Sequence, residues 1–145
     1  MTTYLPTSQD IDILARTIYG EARGEFYHEA GGVTPFIAIA NVVMNRLKVP
    51  QRFGDTIARI CQKRFQFSCW NKSDPNYKVI TTVHKDGNQL FELAFVTAEK
   101  VVRGSWPDIT FGSNHYYATT LPAPPKWALD QPLQVRIGHH LFYKL

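Results

Sequence analysis

The segment from Phe36 to Leu47 most constrains the fold, because it is apolar on nearly every side of a helix. Its apolar residues are Phe36, Ile37, Ala38, Ile39, Ala40, Val42, Val43, Met44 and Leu47. A helix that is hydrophobic almost all round lies in the interior of a domain. Asn41 and Asn45, one turn apart in this segment, then need hydrogen-bond partners in that interior. The sequence therefore predicts one buried central helix with the other elements packed around it.

Three further segments are predicted to be helices. The first follows an N-cap at Ser8 or Asp10 and has one apolar stripe, formed by Ile11, Leu14, Ala15, Ile18 and Ala22. A short helix is predicted from Thr56 to Gln62, after Asp55. A longer one follows Asn88 and ends at Gly104, with apolar residues Leu90, Phe91, Leu93, Ala94, Ala98, Val101 and Val102. The stretch from Arg64 to Tyr77 is aromatic and irregular, which suits the wall of a cleft.

The C-terminal part has the pattern of short strands. Apolar and polar residues alternate on both sides of Gly138, with Leu133, Val135 and Ile137 before it and Leu141, Tyr143 and Leu145 after it. Prolines between Ser105 and Pro132 exclude a central strand or a long helix from that region. A chain of 145 residues is long enough for one core and short for two. We therefore expect one domain over residues 1–145.

Composition indicates a folded protein with a mild preference for polyanions. Hydrophobic residues make up 44% of the chain, and 16 Lys and Arg against 12 Asp and Glu give a net charge of +4. Nucleic acid, anionic lipid and the acidic groups of a bacterial envelope are all compatible partners. Cys61 and Cys69 are either two buried free thiols or one local disulfide. The sequence shows no membrane-spanning apolar run and no secretory signal at its N-terminus, so synthesis in the cytoplasm without stable membrane insertion is expected.

Glu21 is the candidate for chemistry, because it stands where the apolar stripe of the first helix runs out. A carboxyl group that is desolvated on one side and open on the other can stay protonated and act as a general acid. Glu25 is the obvious second carboxylate. If the helix continued through Gly24, the two would be neighbours on one face, as in a paired-carboxylate glycosidase. A solvated, charged helix end is the alternative interpretation.

Aromatic residues mixed with amides and hydroxyls form two candidate binding segments. The first contains Phe65, Gln66, Phe67, Ser68, Trp70 and Asn71, and the second contains Trp106, Asn114, His115, Tyr116, Tyr117 and Trp127. Such residues suit a carbohydrate cleft, nucleic-acid bases that stack on the same rings, or a packed core. His115, His139 and His140 could supply three zinc ligands, but their spacing does not support it. We expect no metal and no other cofactor.

Several segments together resemble one family. Residues 15–25 (ARTIYGEARGE) and 38–46 (AIANVVMNR) look like the opening of the catalytic domain of the SleB-type cell wall hydrolases, known from spore cortex-lytic enzymes. Residues 65–70 (FQFSCW), 98–104 (AEKVVRG), 112–117 (GSNHYY) and 137–143 (IGHHLFY) resemble later segments of that family. The resemblance runs from about Ile11 to Tyr143, and the order of the matches makes it specific.

The resemblance implies a lysozyme-like α+β domain, mainly helical with a small β element near the C-terminus. This chain departs from the spore enzymes in that no secretion signal and no separate wall-binding domain are expected. It also implies an enzyme that cleaves peptidoglycan between N-acetylmuramic acid and N-acetylglucosamine as a lytic transglycosylase, with Glu21 as the catalytic acid. Substrate binding is then expected to involve Glu25, Gln66, Ser68, Trp70, Asn114, His115 and Tyr117. A hydrolytic muramidase and a non-catalytic binding module are the alternatives.

The chain also resembles bacteriophage endolysins of Gram-negative hosts. That resemblance implies a monomer that binds peptidoglycan rather than nucleic acid. Such enzymes reach the cell wall after a holin opens the inner membrane.

Overall fold

The computed structural model describes residues 4–28 and 31–145. These residues form six helices, which are α1 (Ser8–Ala22), α2 (Thr34–Leu47), α3 (Pro50–Phe53), α4 (Ile57–Gln62), α5 (Pro75–Thr82) and α6 (Gln89–Val102). Three strands follow as β1 (His115–Ala118), β2 (Val135–Ile137) and β3 (His140–Tyr143). Short 3₁₀ turns cover Arg23–Glu25, Ser68–Trp70 and Lys126–Ala128. The expected α+β architecture, mainly helical with a small C-terminal sheet, is confirmed.

Helix α2 lies at the centre, as its composition predicts. Phe36, Ile39 and Val43 have no exposed surface, and α2 packs against α1, α4 and α6. Both of its buried asparagines have partners: the Asn41 Oδ1 accepts from the Ile109 backbone N–H, and the Asn45 Nδ2 donates to Asp108 and to the Ser113 carbonyl. These bonds fix the loop that leads into β1 against α2.

Helix α1 begins one residue earlier than an N-cap at Ser8 would allow. Thr7 is the N-cap, and its hydroxyl accepts from the Asp10 backbone N–H while the Asp10 carboxylate accepts from the Thr7 N–H, which completes a capping box. Asp10 is 4% exposed and also accepts from the Tyr4 hydroxyl and the Ala58 N–H. The start of α1 is thereby tied to α4.

The sheet has the strand order β1-β3-β2, and both pairs are antiparallel. β2 and β3 form a hairpin around Gly138, whose φ is +58°, so the predicted alternation about this glycine is confirmed. β1 pairs with β3 over its four residues, from His115 opposite Tyr143 to Ala118 opposite His140. It is an edge strand inside the proline-containing region, which is compatible with the exclusion of a central strand and of a long helix there.

Two helices were not predicted. α3 and α5 both begin with a proline, Pro50 and Pro75, at the position where a helix tolerates one. The side chain of Asp74 caps α5 by accepting from the Asn76 N–H. The region from Arg64 to Tyr77 is thus irregular only as far as α5.

Within the described residues, every helix is too short or too polar to cross a bilayer. Residues 1–3, where the signal-peptide prediction begins, lie outside the described part.

Candidate active site

Glu21 lies in the last turn of α1 and faces β1. The Tyr116 hydroxyl donates a 2.7 Å hydrogen bond to its Oε1. Burial raises the pKa of Glu21, and the Asp74 carboxylate adds to the increase. Hydrogen bonds from Tyr116 and from the thiol and backbone of Cys69 oppose this effect without cancelling it. The carboxyl group therefore holds its proton at higher pH than an ordinary glutamate, as a general acid requires.

Gly20 lets the 3₁₀ turn Ser68–Trp70 approach α1 next to Glu21. A Cβ atom at position 20 would lie 2.8 Å from the Cβ of Cys69 and 2.8 Å from the Cγ2 of Ile80. Cys69 and Cys61 are buried free thiols, and burial raises the pKa of Cys61 to about 12. The close approach, rather than thiol chemistry, explains why Cys69 lies beside the acid.

A cleft of about 330 Å³ opens over Glu21. It is lined by Glu21, Arg46, Phe65, Gln66, Ser68, Tyr116, Tyr117, Ala118, Leu121, Pro125 and Trp127. Of the residues predicted to bind substrate, the structure brings Gln66, Ser68 and Tyr117 to this cleft. The wall opposite Glu21 is formed by β1 and the loop that follows it. This arrangement offers rings and amides around one half-buried acid.

Arg46 lines the cleft, although it is not among the binding residues predicted from the sequence. Its side chain is buried between the rings of Phe53 and Phe67, at 5.2 and 5.1 Å from their centroids. Its Nε donates to the Asn114 carbonyl, and its Nη1 donates to the Gln66 side chain at 3.3 Å. The sequence signal that could have identified it is a guanidinium group in a segment that is apolar apart from two asparagines. Arg46 orients Gln66 and places a positive charge at the floor of the cleft.

Phe65 stands at the rim of the cleft in a strained conformation. Its φ is +66°, which is costly for a bulky residue, and its side chain is 72% exposed. The ring also lines a neighbouring groove with Lys63, Arg64, Trp70 and Lys72. Backbone strain at a cleft edge is a recurrent feature of functional sites. Phe65 therefore lines both adjoining grooves with a largely exposed ring, and the Arg64 guanidinium lies 4.7 Å from the centroid of that ring.

Three other predicted binding residues lie outside the Glu21 cleft. Trp70 lines the neighbouring groove, and its Nε1 donates to the Thr17 hydroxyl at 2.9 Å. The Asn114 side chain binds the backbone of Leu145 through both its oxygen and its nitrogen. The His115 ring packs edge-on against Phe53 and at a tilt against Trp127, and burial together with Arg46 and Arg52 lowers its pKa to about 4. Asn114 and His115 therefore contact other parts of the protein and do not line the cleft.

Glu25 does not lie beside Glu21 as a second carboxylate of the cleft. Ala22 leaves the helical conformation with φ at −133°, and the 3₁₀ turn that follows directs Glu25 to the β2–β3 turn. There it is 8% exposed and accepts from the backbone N–H and contacts the Nδ1 of His139. The predicted pairing on one helix face required an uninterrupted helix, which the structure does not have.

The family described as cell wall hydrolase matches residues 32–143, more than half of the chain. The spore cortex-lytic enzyme of Halalkalibacterium halodurans is 29% identical over 140 residues, which cover 94% of this chain and 35% of that protein. The spore cortex-lytic enzyme of Bacillus subtilis is 29% identical over 139 residues, which cover 94% of this chain and 38% of that protein. This chain thus spans less than half of the length of these relatives.

Solved structures show the same fold. The catalytic domain of the Bacillus cereus SleB protein has a TM-score of 0.73 and 24% identity, with 99% of this chain and 95% of that chain covered. The catalytic domain of the germination-specific lytic transglycosylase SleB from Bacillus anthracis has a TM-score of 0.67 and 24% identity, with 99% and 100% covered. These solved structures establish that the chain has the fold of the SleB catalytic domains. The chain belongs to the cell wall hydrolase family.

Proposed function

We propose that this protein is a peptidoglycan lytic transglycosylase that cleaves between N-acetylmuramic acid and N-acetylglucosamine with Glu21 as its one catalytic carboxyl group. The observation that carries the proposal is the half-buried acid with a raised pKa at the floor of an aromatic cleft. The family supports wall degradation, and a relative of the same fold is a lytic transglycosylase.

A single carboxyl group suffices for this reaction. Among residues 4–28 and 31–145, the lining of the cleft includes one carboxyl group, that of Glu21. Glu25 is engaged with His139 instead. A hydrolase with two carboxylates would need the second one across the scissile bond. A transglycosylase uses a nucleophile that the substrate already carries, at high effective concentration.

The proposed reaction has two proton transfers through Glu21. Its protonated carboxyl donates to the bridging oxygen as the bond between that oxygen and C1 of the muramic acid breaks, leaving a new hydroxyl on the departing sugar. The resulting carboxylate then accepts the proton of the muramic acid C6 hydroxyl as its oxygen bonds to C1. Glu21 is restored to its acid form, and the product is a 1,6-anhydromuramic end.

The cleft walls suit a sugar chain. Tyr117 and Trp127 present rings on the β1 side, and Gln66 and Ser68 present an amide and a hydroxyl on the other. Apolar ring faces and a few placed polar groups are the usual elements of a small-molecule site. Arg46 beneath them supplies a positive charge for a substrate whose stem peptides carry carboxylates.

Digestion of purified peptidoglycan followed by mass spectrometry tests the proposal. Anhydromuramic ends, lighter than the hydrolytic product by one water, are expected from the wild type and absent with Glu21→Gln. Reducing muramic ends would assign a hydrolytic muramidase instead. Freed stem peptides, or equal lysis by Glu21→Gln, would overturn glycan cleavage by Glu21. Loss of turnover in a folded Glu25→Gln variant as complete as in Glu21→Gln would contradict the single-carboxyl mechanism.

We further propose bacteriophage host lysis as the biological setting. The net charge of +4 favours the anionic polymers of an envelope. Expression in a Gram-negative host with and without a co-expressed holin tests this setting. Lysis that requires both the holin and Glu21 is expected. Lysis by this protein alone would assign a different route to the wall.

A further inference from the structure

We propose that Glu25, His28 and His139 form a binding site for a transition-metal ion of the Zn²⁺ type. Glu25 ends the 3₁₀ turn after α1, His28 follows three residues later, and His139 lies in the β2–β3 turn. One ligand atom from each of the three lies within 4.8 Å of the others. This site is separate from the Glu21 cleft and does not depend on the proposed glycan chemistry.

The ligand set matches zinc in kind and number. Two imidazoles and one carboxylate are a recognised three-ligand zinc set that leaves a fourth position for water. The predicted candidates His115, His139 and His140 do not form this set. Only His139 belongs to it, because the His115 ring packs at a tilt against Trp127 and His140 packs edge-on against Tyr116.

The spacing of the donor atoms is close to what a metal needs. Metal bonds of about 2.0–2.1 Å in a tetrahedron place neighbouring ligand atoms roughly 3.3 Å apart. The His139 Nδ1 lies 3.0 Å from Oε2 and 3.1 Å from Oε1 of Glu25. The His28 ring meets the His139 ring edge-on with centroids 5.0 Å apart. His28 is exposed, so its ring can close the remaining distance without moving the core.

The surroundings hold Glu25 in place for this role. A Cβ at Gly138 would lie 3.0 Å from the Glu25 Oε2, so the glycine permits the turn to close over the carboxylate. The His139 N–H donates to the Oε1 at 3.2 Å, which fixes one oxygen from outside the metal shell. A bound ion would cross-link the end of α1 to the hairpin that covers it.

Isothermal titration of the tag-free full chain with Zn²⁺ tests the site, with His28→Ala as the main variant. Its matched control is His84→Ala, an exposed histidine beyond the cluster. We expect one Zn²⁺ per chain for the wild type and His84→Ala, and at least ~10-fold weaker binding for His28→Ala and His139→Ala. With Co²⁺ in place of Zn²⁺, the wild type should show the visible absorption of a tetrahedral site. His28→Ala and His139→Ala should not show it.

Zn²⁺ binding can be measured independently of peptidoglycan cleavage. Glu21→Gln is expected to bind Zn²⁺ as tightly as the wild type, whatever its effect on peptidoglycan. Zn²⁺ should also raise the melting temperature of the wild type more than that of His28→Ala, because the ion binds the folded state. No saturable binding, or equal affinity in His28→Ala and the wild type, would overturn the proposal.

Discussion

The Tyr116 hydroxyl donates a 2.7 Å hydrogen bond to Oε1 of Glu21, although the two residues are 95 positions apart in the chain. The bond joins the last turn of α1 to the edge strand β1. It limits the rise in the pKa of Glu21 that burial causes. Burial, with a further contribution from the charge of Glu21, raises the pKa of Tyr116 well above its usual value. The acid thus holds its proton to a higher pH than an ordinary glutamate does, and the Tyr116 hydroxyl limits that increase.

Replacing Glu21 with Gln is expected to reduce turnover of peptidoglycan by ~10²- to 10⁴-fold, because the proton donor is removed. The same variant should be more stable than the wild type at neutral pH. The folded state raises the pKa of Glu21, so the stability it contributes is present below about pH 4.5 and is lost as the pH rises through the folded pKa. Thermal unfolding across pH, with the exposed Glu92→Gln as control, measures this difference.

Replacing Tyr116 with Phe removes the donor that lowers the pKa of Glu21. The alkaline limb of the pH–activity profile should therefore move to higher pH, and turnover at the optimum should fall by about 2- to 10-fold, the value of one hydrogen bond. Tyr27→Phe, at a residue that is 81% exposed, is the matched control. An alkaline limb that moves to lower pH would contradict the role assigned to this hydroxyl.

Gly20→Ala should destabilise the protein by about 1–3 kcal/mol and lower activity, because its Cβ would overlap Cys69 and Ile80. Gly24→Ala provides the control within the same segment, since its Cβ would meet nothing within 4 Å. Chemical denaturation of both variants measures the contrast. Equal free energies of unfolding would mean that the Ser68–Trp70 turn moves away at little cost.

Phe65→Asn should raise the KM for peptidoglycan while changing the free energy of unfolding by less than about 1 kcal/mol. Asparagine tolerates a positive φ better than phenylalanine does, and the ring that is lost is largely exposed. Leu121→Asn is the control, because it removes an aliphatic side chain at another exposed residue of the cleft rim. A large loss of stability in Phe65→Asn would show that the ring packs rather than binds.

Asp10→Asn should destabilise the protein by about 1–3 kcal/mol at neutral pH, because the buried carboxylate accepts from Tyr4, Thr7 and Ala58. Burial alone would raise the pKa of Asp10, but these hydrogen bonds lower it overall. The stability is therefore present above about pH 3.8 and is lost as the pH falls through the folded pKa. The difference in the free energy of unfolding between Asp10→Asn and the wild type should narrow in acid. Asp12→Asn is the control and should lower the free energy of unfolding by about 0.5 kcal/mol or less at any pH.

The sequence by itself determined the elements with strong local patterns. The all-round apolar α2, the stripe of α1, the capped α6 and the hairpin about Gly138 follow from periodicity and from residues that begin or end helices. α3 and α5 were not predicted, because each begins with a proline, which in a sequence also marks the end of a helix or an irregular segment. β1 was not predicted, because prolines surround it and its pairing partner is the last strand of the chain.

The tertiary structure alone decided how the two carboxylates are used. Glu21 and Glu25 are four residues apart, and their spacing permitted a pair on one helix face. The break at Ala22 sends Glu21 to Tyr116 and Glu25 to His139. The sequence could place both acids at the end of a helix, because that depends on neighbouring residues. Burial and long-range hydrogen bonds set the pKa of Glu21, and these exist only once the chain has folded.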